Sequence, residues 1–84
     1  MKPTPLVIPD LGEIVEMVRI VRWLKQVGDT VAVDEEILEI STDKLDVVIQ
    51  CPTAGVLAEI RSVPGDTVPV GAEVAVIRER AAHA

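Results

Sequence analysis

The chain repeats a ten-residue pattern, and this repeat limits the fold more than any other feature of the sequence. Residues 28–37, GDTVAVDEEI, and residues 65–74, GDTVPVGAEV, begin with the same four residues and lie 37 positions apart. Each copy predicts a turn, a short strand, a second turn and another strand. Because one copy alone could not cover its apolar face, the repeat predicts two similar units packed about a pseudo-twofold axis.

Apolar runs elsewhere in the chain are also short and lie between turn signals. They are rich in Val, Ile and Leu, and no apolar pattern of helical period continues long enough to indicate a helix. The predicted strands are residues 6–8, 18–24, 30–31, 37–41, 45–51, 55–61, 67–68 and 74–78. We therefore expect an all-β fold, a flattened β-barrel or sandwich of two four-stranded antiparallel sheets with internal pseudo-twofold symmetry.

The length and apolar content bound the number of domains. A chain of 84 residues, 49% of them hydrophobic, is long enough for one core but not for two. We expect the domain to cover residues 1–79 and residues 80–84 to be a frayed tail or the start of a linker. Trp23 is the only aromatic residue, so the core must be aliphatic, and we expect this indole to pack on its strand.

Charge and residue usage argue against several function classes. The formal net charge of −6 disfavours nucleic acid and anionic membranes as partners, because both select clustered Lys and Arg. No segment has the apolar length of a membrane span or a secretory signal, which predicts a soluble intracellular protein. The bacterial cytoplasm is the default location, and the mitochondrial matrix is the alternative. His83 in the tail and the single Cys51 give no catalytic set and no metal site.

Lys44 lies in the segment EISTDKLDV, residues 39–47. The polar residues 42–44 separate two apolar runs, which predicts an exposed hairpin tip held between paired strands. Pseudo-symmetry places the counterpart of this tip where the second copy ends, so the tip and the C-terminus are expected at opposite ends of the domain. From the residues alone, Lys44 is either a solvated turn lysine or an attachment point.

Several short motifs, taken in order and spacing, resemble the lipoyl domain of the acyltransferase (E2) component of 2-oxoacid dehydrogenase complexes. They are IPDLGE at 8–13, RWLK at 22–25, VGD at 27–29, EISTDK at 39–44, AGVL at 54–57, GD at 65–66 and AVI at 75–77. The sister family of biotin carrier domains flanks the hairpin lysine with Met on both sides. Here Asp43 and Leu45 flank Lys44, which resembles the lipoyl type.

The resemblance implies a role for the hairpin. Lys44 would carry amide-linked lipoate, and a lipoylating enzyme would read the turn residues Thr42, Asp43 and Leu45. The carrier would serve the decarboxylase (E1), the acyltransferase core (E2) and a flavoprotein dehydrogenase (E3), and would catalyse nothing itself. Pyruvate and 2-oxoglutarate are the usual substrates of such complexes.

Two segments depart from the family pattern by being more apolar. Many members have Gly at the position of Val18 and an acid at the position of Val48. The residues expected to form an exposed apolar patch are Ile14, Met17, Val18, Val21 and Val48. They indicate either a modestly repacked core or an interface, for self-association or an unknown protein partner. The second function class is therefore a lipoyl-domain scaffold whose surface evolution or design has altered for protein binding, with Lys44 unmodified.

Overall fold

The structure is a computed structural model that describes residues 3–11 and 16–79. Its strands are Pro3–Val7 (β1), Met17–Trp23 (β2), Thr30–Val31 (β3), Glu36–Ser41 (β4), Asp46–Gln50 (β5), Gly55–Ile60 (β6), Thr67–Pro69 (β7) and Glu73–Glu79 (β8). They form two four-stranded antiparallel sheets, with strand orders β1-β8-β6-β3 and β5-β4-β2-β7. The predicted fold class is confirmed, and every predicted strand overlaps an observed one. No helix in the described ranges is long and apolar enough to span a bilayer.

The sequence repeat appears in the structure as two interlocked halves. The 37-residue offset carries β2, β3 and β4 onto β6, β7 and β8, while β1 and β5 occupy equivalent outer positions. The short strand of each half pairs with the long strand of the other, β3 with β6 and β7 with β2. Neither half can therefore complete its sheet without the other, as the repeat predicts.

The two Gly-Asp turns have the local geometry that their sequence predicts. Gly28 and Gly65 adopt φ values of 97° and 96°, a region that L side chains rarely enter. The side chains of Asp29 and Asp66 accept hydrogen bonds from the backbone amides three residues earlier, at 2.8 and 3.0 Å. Each turn thus has its own backbone hydrogen bonds and the same shape in both halves.

Gly55 does not adopt a positive φ, unlike the glycines of the turns. Among the described glycines, only those at positions 28, 65 and 71 have positive φ. A Cβ built on Gly55 would lie 2.0 Å from the carbonyl oxygen of Arg78 on β8. Gly55 is therefore required because two strands approach closely, not because of its backbone angles.

The core lies between the two sheets and is aliphatic. Its buried members are Leu6, Ile8, Val18, Ile20, Val31, Ile37, Leu38, Ile40, Ile49, Cys51, Leu57, Val74, Ala75 and Ile77. Trp23 is half-buried and packs against this cluster, which confirms its predicted packing role. Cys51 is fully buried, and its Sγ lies 2.9 Å from the carbonyl oxygen of Thr53. Burial raises the pKa of the Cys51 thiol, which makes the thiol a poor nucleophile.

Candidate functional site: the hairpin between β4 and β5

The hairpin that joins β4 to β5 presents the lysine singled out by the sequence. Ser41 and Asp46 form the last cross-strand pair, so residues 42–45 make the turn. The backbone amide of Thr42 donates a 2.8 Å hydrogen bond to the carbonyl oxygen of Leu45. Asp43 and Lys44 are therefore the two residues at the tip, and both are exposed.

The hydroxyl of Thr42 braces the backbone on the far side of this tip. It accepts hydrogen bonds from the amides of Lys44, at 3.3 Å, and Leu45, at 3.2 Å, and donates to the carbonyl oxygen of Leu45 at 3.2 Å. The family resemblance implies a recognition role for Thr42, and this structural role was not predicted. The signal was available, because a Thr that opens a turn commonly bonds the amides that follow it.

The two lysines in the described part of the chain differ in their surroundings. The Lys25 Nζ lies 2.6 Å from a carboxylate oxygen of Glu35, and this hydrogen bond raises the pKa of Lys25. The Lys44 side chain is exposed and makes no hydrogen bond or ion pair with residues 3–11 or 16–79. The Lys44 amine is thus presented to solvent, while the Lys25 amine is already engaged.

The strand pairings show where the hairpin and the C-terminal end of β8 lie along the length of the domain. β2 starts beside the hairpin, where Arg19 pairs with Ser41, and the chain then continues to β3. At the far end of that path Val31 pairs with Gly55, which also pairs with Glu79 at the end of β8. The hairpin and the end of β8 therefore lie at opposite ends of a domain whose longest dimension is 42 Å.

Val18 does not belong to an exposed patch, and the expectation that it would was wrong. Its side chain is 1% exposed, because it alternates with Ile20 on the inner face of β2. Its counterpart Gly55 pairs with Glu79, but the equivalent pair of Val18 with Thr42 does not form. β2 and β4 are therefore not paired at Val18, whereas β6 and β8 are paired at the equivalent Gly55. Ile14 lies outside the described residues.

Met17, Val21 and Val48 are exposed, at 48%, 39% and 41%, but they do not form a continuous apolar surface. Exposed Arg19 lies between the two β2 residues on the same face of the strand. Glu39, the direct neighbour of Val48 on β4, carries an ion pair of 2.7 Å with an arginine of β2. Charged groups therefore interrupt the predicted patch over the part of the chain that the structure describes.

No cluster of three or more His, Cys, Asp or Glu side chains in residues 3–11 and 16–79 could hold a metal ion.

Sequence comparison identifies relatives over most of the chain. The family profile described as "Biotin-requiring enzyme" matches residues 4–77. The acetyltransferase component of the pyruvate dehydrogenase complex of Mycobacterium tuberculosis is 51% identical over 71 residues, which are 84% of this chain and 13% of that protein. The same component of Corynebacterium glutamicum is 54% identical over 70 residues, 83% of this chain and 10% of that protein. The succinyltransferase component of the 2-oxoglutarate dehydrogenase complex of Staphylococcus saprophyticus is 46% identical over 72 residues, 86% of this chain and 17% of that protein.

Two solved structures share the fold. Urea carboxylase of Kluyveromyces lactis superposes with a TM-score of 0.77 over 93% of this chain and 6% of its own, and its 24% identity supports the fold alone. The lipoyl domain of the 2-oxoglutarate dehydrogenase complex of Azotobacter vinelandii has a TM-score of 0.69 and 29% identity, over 94% of this chain and 98% of its own. The chain spans less than a fifth of the length of the three relatives above, so the similarity concerns this domain. The chain therefore belongs to the biotin/lipoyl domain family and is a lipoyl domain of the kind found in 2-oxoacid dehydrogenase acyltransferases.

Proposed function

We propose that the domain is a lipoyl carrier of a 2-oxoacid dehydrogenase complex, with lipoate joined to Lys44 through an amide bond. The observation that carries this proposal is the position of Lys44. Its amine is exposed at the tip of a braced hairpin, in a chain whose relatives are named as dihydrolipoyllysine-residue acyltransferases. Amide formation requires an accessible nitrogen, and the other described lysine is held by Glu35.

The residues around Lys44 fit an attached lipoyl group. Thr42 fixes the turn backbone, so the attachment nitrogen leaves a rigid support. Asp43 and Leu45 are exposed on either side of it and offer a lipoylating enzyme one charged and one apolar contact. When attached, the lipoyl group supplies a dithiolane that accepts an acyl group and two electrons. The domain supplies position rather than catalysis, a role that its membership of the biotin/lipoyl family supports.

The names of the relatives, which are acyltransferase components of 2-oxoacid dehydrogenase complexes, support the partners that the family resemblance implies. A carrier in such a complex meets the decarboxylase (E1), the acyltransferase core (E2), the flavoprotein dehydrogenase (E3) and the lipoylating enzyme. The domain presents Lys44 at the end remote from the end of β8, so that the rest of the fold does not obstruct an active site. A single mobile carrier raises the effective concentration of its cargo at each site that it visits.

Mass spectrometry of the intact protein tests this proposal. The chain is incubated with lipoate, ATP and a lipoate–protein ligase, and we expect a gain of one lipoyl group. Lys44→Arg abolishes the gain because it removes the acylatable nitrogen. Lys25→Arg, the matched control, retains both the positive charge and the gain. An unmodified wild-type chain, or a gain that persists in Lys44→Arg, would contradict the proposal.

A parallel incubation tests the biotin alternative. With biotin, ATP and a biotin–protein ligase, we expect no gain of mass, since Asp43 and Leu45 replace the methionines that flank a biotinylated lysine. A gain with biotin alone would instead assign the chain to the biotin carriers.

A further inference from the structure

Within residues 3–11 and 16–79, the two sheets have four edge strands that pair on one side only, and three of them are protected against further pairing. β1 contains Pro3 and Pro5, β7 has three residues and ends in Pro69, and β3 has only two residues. Short strands and prolines are common means of blocking a sheet edge. β5 has neither, because its five residues, DVVIQ, include no proline.

The hydrogen-bond pattern shows which groups of β5 face the open edge. The bond from the Thr42 amide to the Leu45 carbonyl makes that pair a hydrogen-bonded one. Bonded and non-bonded pairs alternate in an antiparallel ladder, so Val47 and Ile49 bond to β4. The N–H and C=O groups of Asp46 and Val48 therefore point away from β4.

The next residues extend this pattern to the end of β5. After the bulge, the amide of Cys51 donates to the carbonyl oxygen of Glu35 at 2.8 Å, which places Cys51 on the bonded side. Gln50 accordingly faces the open edge, and all three outward residues of β5 are exposed. The open edge of β5 thus offers a row of backbone donors and acceptors.

Comparison with β1 shows that this open edge is specific to β5. Cys51 makes two backbone hydrogen bonds with the turn before β4, and Ile8 makes the same two bonds with the corresponding turn before β8. Cys51 and Ile8 are therefore equivalent residues, which aligns β5 with β1. In that alignment Pro3 and Pro5 occupy the places of Asp46 and Val48. In β1, prolines therefore remove two of the three outward donors, whereas β5 retains all three.

We propose that β5 pairs antiparallel with β5 of a second copy of this chain, about a twofold axis at Val48. In this register Val48 faces Val48 of the second copy, and Asp46 faces Gln50. The two half-exposed valines bury each other, and each carboxylate meets an amide. Parallel in-register pairing would instead place Asp46 beside Asp46 of the second copy.

The charges beside this axis are compatible with the pairing. Glu39 lies next to Val48 on the outer face of the sheet, and its carboxylate is already paired with Arg22 at 2.7 Å. Across the joined sheets, the central row of side chains would consist of Arg22, Glu39 and Val48 of one copy. Val48, Glu39 and Arg22 of the second copy would follow in that order. No unpaired acid lies beside the two valines in this row.

The size of the contact makes the association weak and reversible. Three outward residues per copy allow about six backbone hydrogen bonds, in an interface of less than about 1,200 Å². The net charge of −6 on each copy opposes contact, so association strengthens as salt screens this repulsion. The two copies of Lys44 would lie about 26 Å apart along the ladder, outside the paired segment, so both remain open to modification.

Sedimentation velocity of the full 84-residue chain tests the pairing. We expect the sedimentation coefficient to rise between about 10 µM and about 1 mM, the range expected for a weak complex. Val48→Pro abolishes the rise because it removes an outward N–H, as Pro5 does on β1. Val21→Ala, the matched control, shortens an exposed valine on an interior strand and leaves the rise unchanged. A constant coefficient for the wild type, or an equal rise in Val48→Pro, would overturn the proposal.

Two charge variants at Gln50 test the register and do not depend on the tolerance for proline. Gln50→Lys faces Asp46 of the second copy in both symmetry-related pairs and tightens association roughly three-fold to ten-fold. Gln50→Glu places two acids together and weakens association by a similar factor. Effects of the same sign for Lys and Glu would refute the antiparallel register. Far-UV circular dichroism shows whether each variant is folded. If Val48→Pro is unfolded, the Gln50 variants alone decide whether the proposed pairing occurs.

Discussion

The indole Nε1 of Trp23 donates a 2.8 Å hydrogen bond to the carbonyl oxygen of Ser62. Trp23 ends β2 in one sheet, and Ser62 follows β6 in the other, so this bond ties the two sheets together. The counterpart of Trp23 is Ile60, which has no polar atom in its side chain, and the tie therefore occurs once among the described residues. Trp23→Phe keeps an aromatic ring but removes the donor.

We expect Trp23→Phe to lower the free energy of unfolding by about 1 kcal/mol, because it leaves a half-buried carbonyl without its partner. Urea denaturation followed by far-UV circular dichroism measures this loss, since the variant has no tryptophan fluorescence. An unchanged urea midpoint would show that water satisfies the Ser62 carbonyl equally well.

Gly55→Ala tests the close approach of β6 and β8. The added Cβ would lie 2.0 Å from the Arg78 carbonyl oxygen, so the two backbones must separate. We expect a loss of at least about 2 kcal/mol in the free energy of unfolding, as for other overpacked sites. Gly28→Ala is the control, because no atom beyond its own residue and its two chain neighbours lies within 4 Å of the new Cβ, and only the positive φ costs energy, about 1 kcal/mol. Equal losses in the two variants would contradict this account.

Thr42→Ala tests the brace at the hairpin tip. The substitution removes the hydroxyl that bonds the amides of Lys44 and Leu45, whereas Thr42→Ser retains it. We expect Thr42→Ala to lose about 1 kcal/mol of stability, a typical net value for such bonds. If Lys44 is the attachment residue, its lipoylation also slows several-fold, and Thr42→Ser stays close to wild type. Mass spectrometry over a time course measures the rate, and an unchanged rate in Thr42→Ala would separate the brace from modification.

The features that were predicted correctly depend on local or repeating signals. The Gly-Asp turns are specified by residues adjacent in sequence, and the exposure expected for Val48 follows from the alternation along β5. The repeat then required the two halves to share one topology. Together these signals were sufficient for the fold class and for placing the hairpin tip.

The features that were missed depend on contacts between strands distant in sequence. Gly55 is explained by the carbonyl of Arg78, which lies 23 positions further along the chain. Val18 shares the inner face of β2 with Ile20, and which face of β2 is inner is set by the packing of the two sheets, which the sequence alone does not show. The Arg22–Glu39 ion pair that interrupts the predicted apolar patch also joins two strands whose register the sequence does not specify.

Glu35 joins the turn after β3 to the segment after β2. One carboxylate oxygen lies 2.6 Å from the Lys25 Nζ, and the other accepts a 2.9 Å hydrogen bond from the amide of Ala32. The hydrogen bond from Lys25 is the main cause that lowers the pKa of Glu35 below 4.5. The same bond raises the pKa of Lys25 above 10.5.

These two pKa shifts predict the pH range in which the ion pair stabilises the fold. Because the pKa of Glu35 is lower in the folded state, its contribution is complete above about pH 4.5 and is lost as the pH falls through the folded value. The pKa of Lys25 is higher in the folded state, so its contribution holds below about pH 10.5 and is lost above the folded value. Glu35→Gln removes the charge but keeps an acceptor for Ala32. We expect the urea midpoint of wild type to exceed that of Glu35→Gln at pH 7 and the difference to disappear at a pH well below the folded pKa of Glu35. A difference that is the same at both pH values would show that the shape of the side chain, not its charge, stabilises this turn.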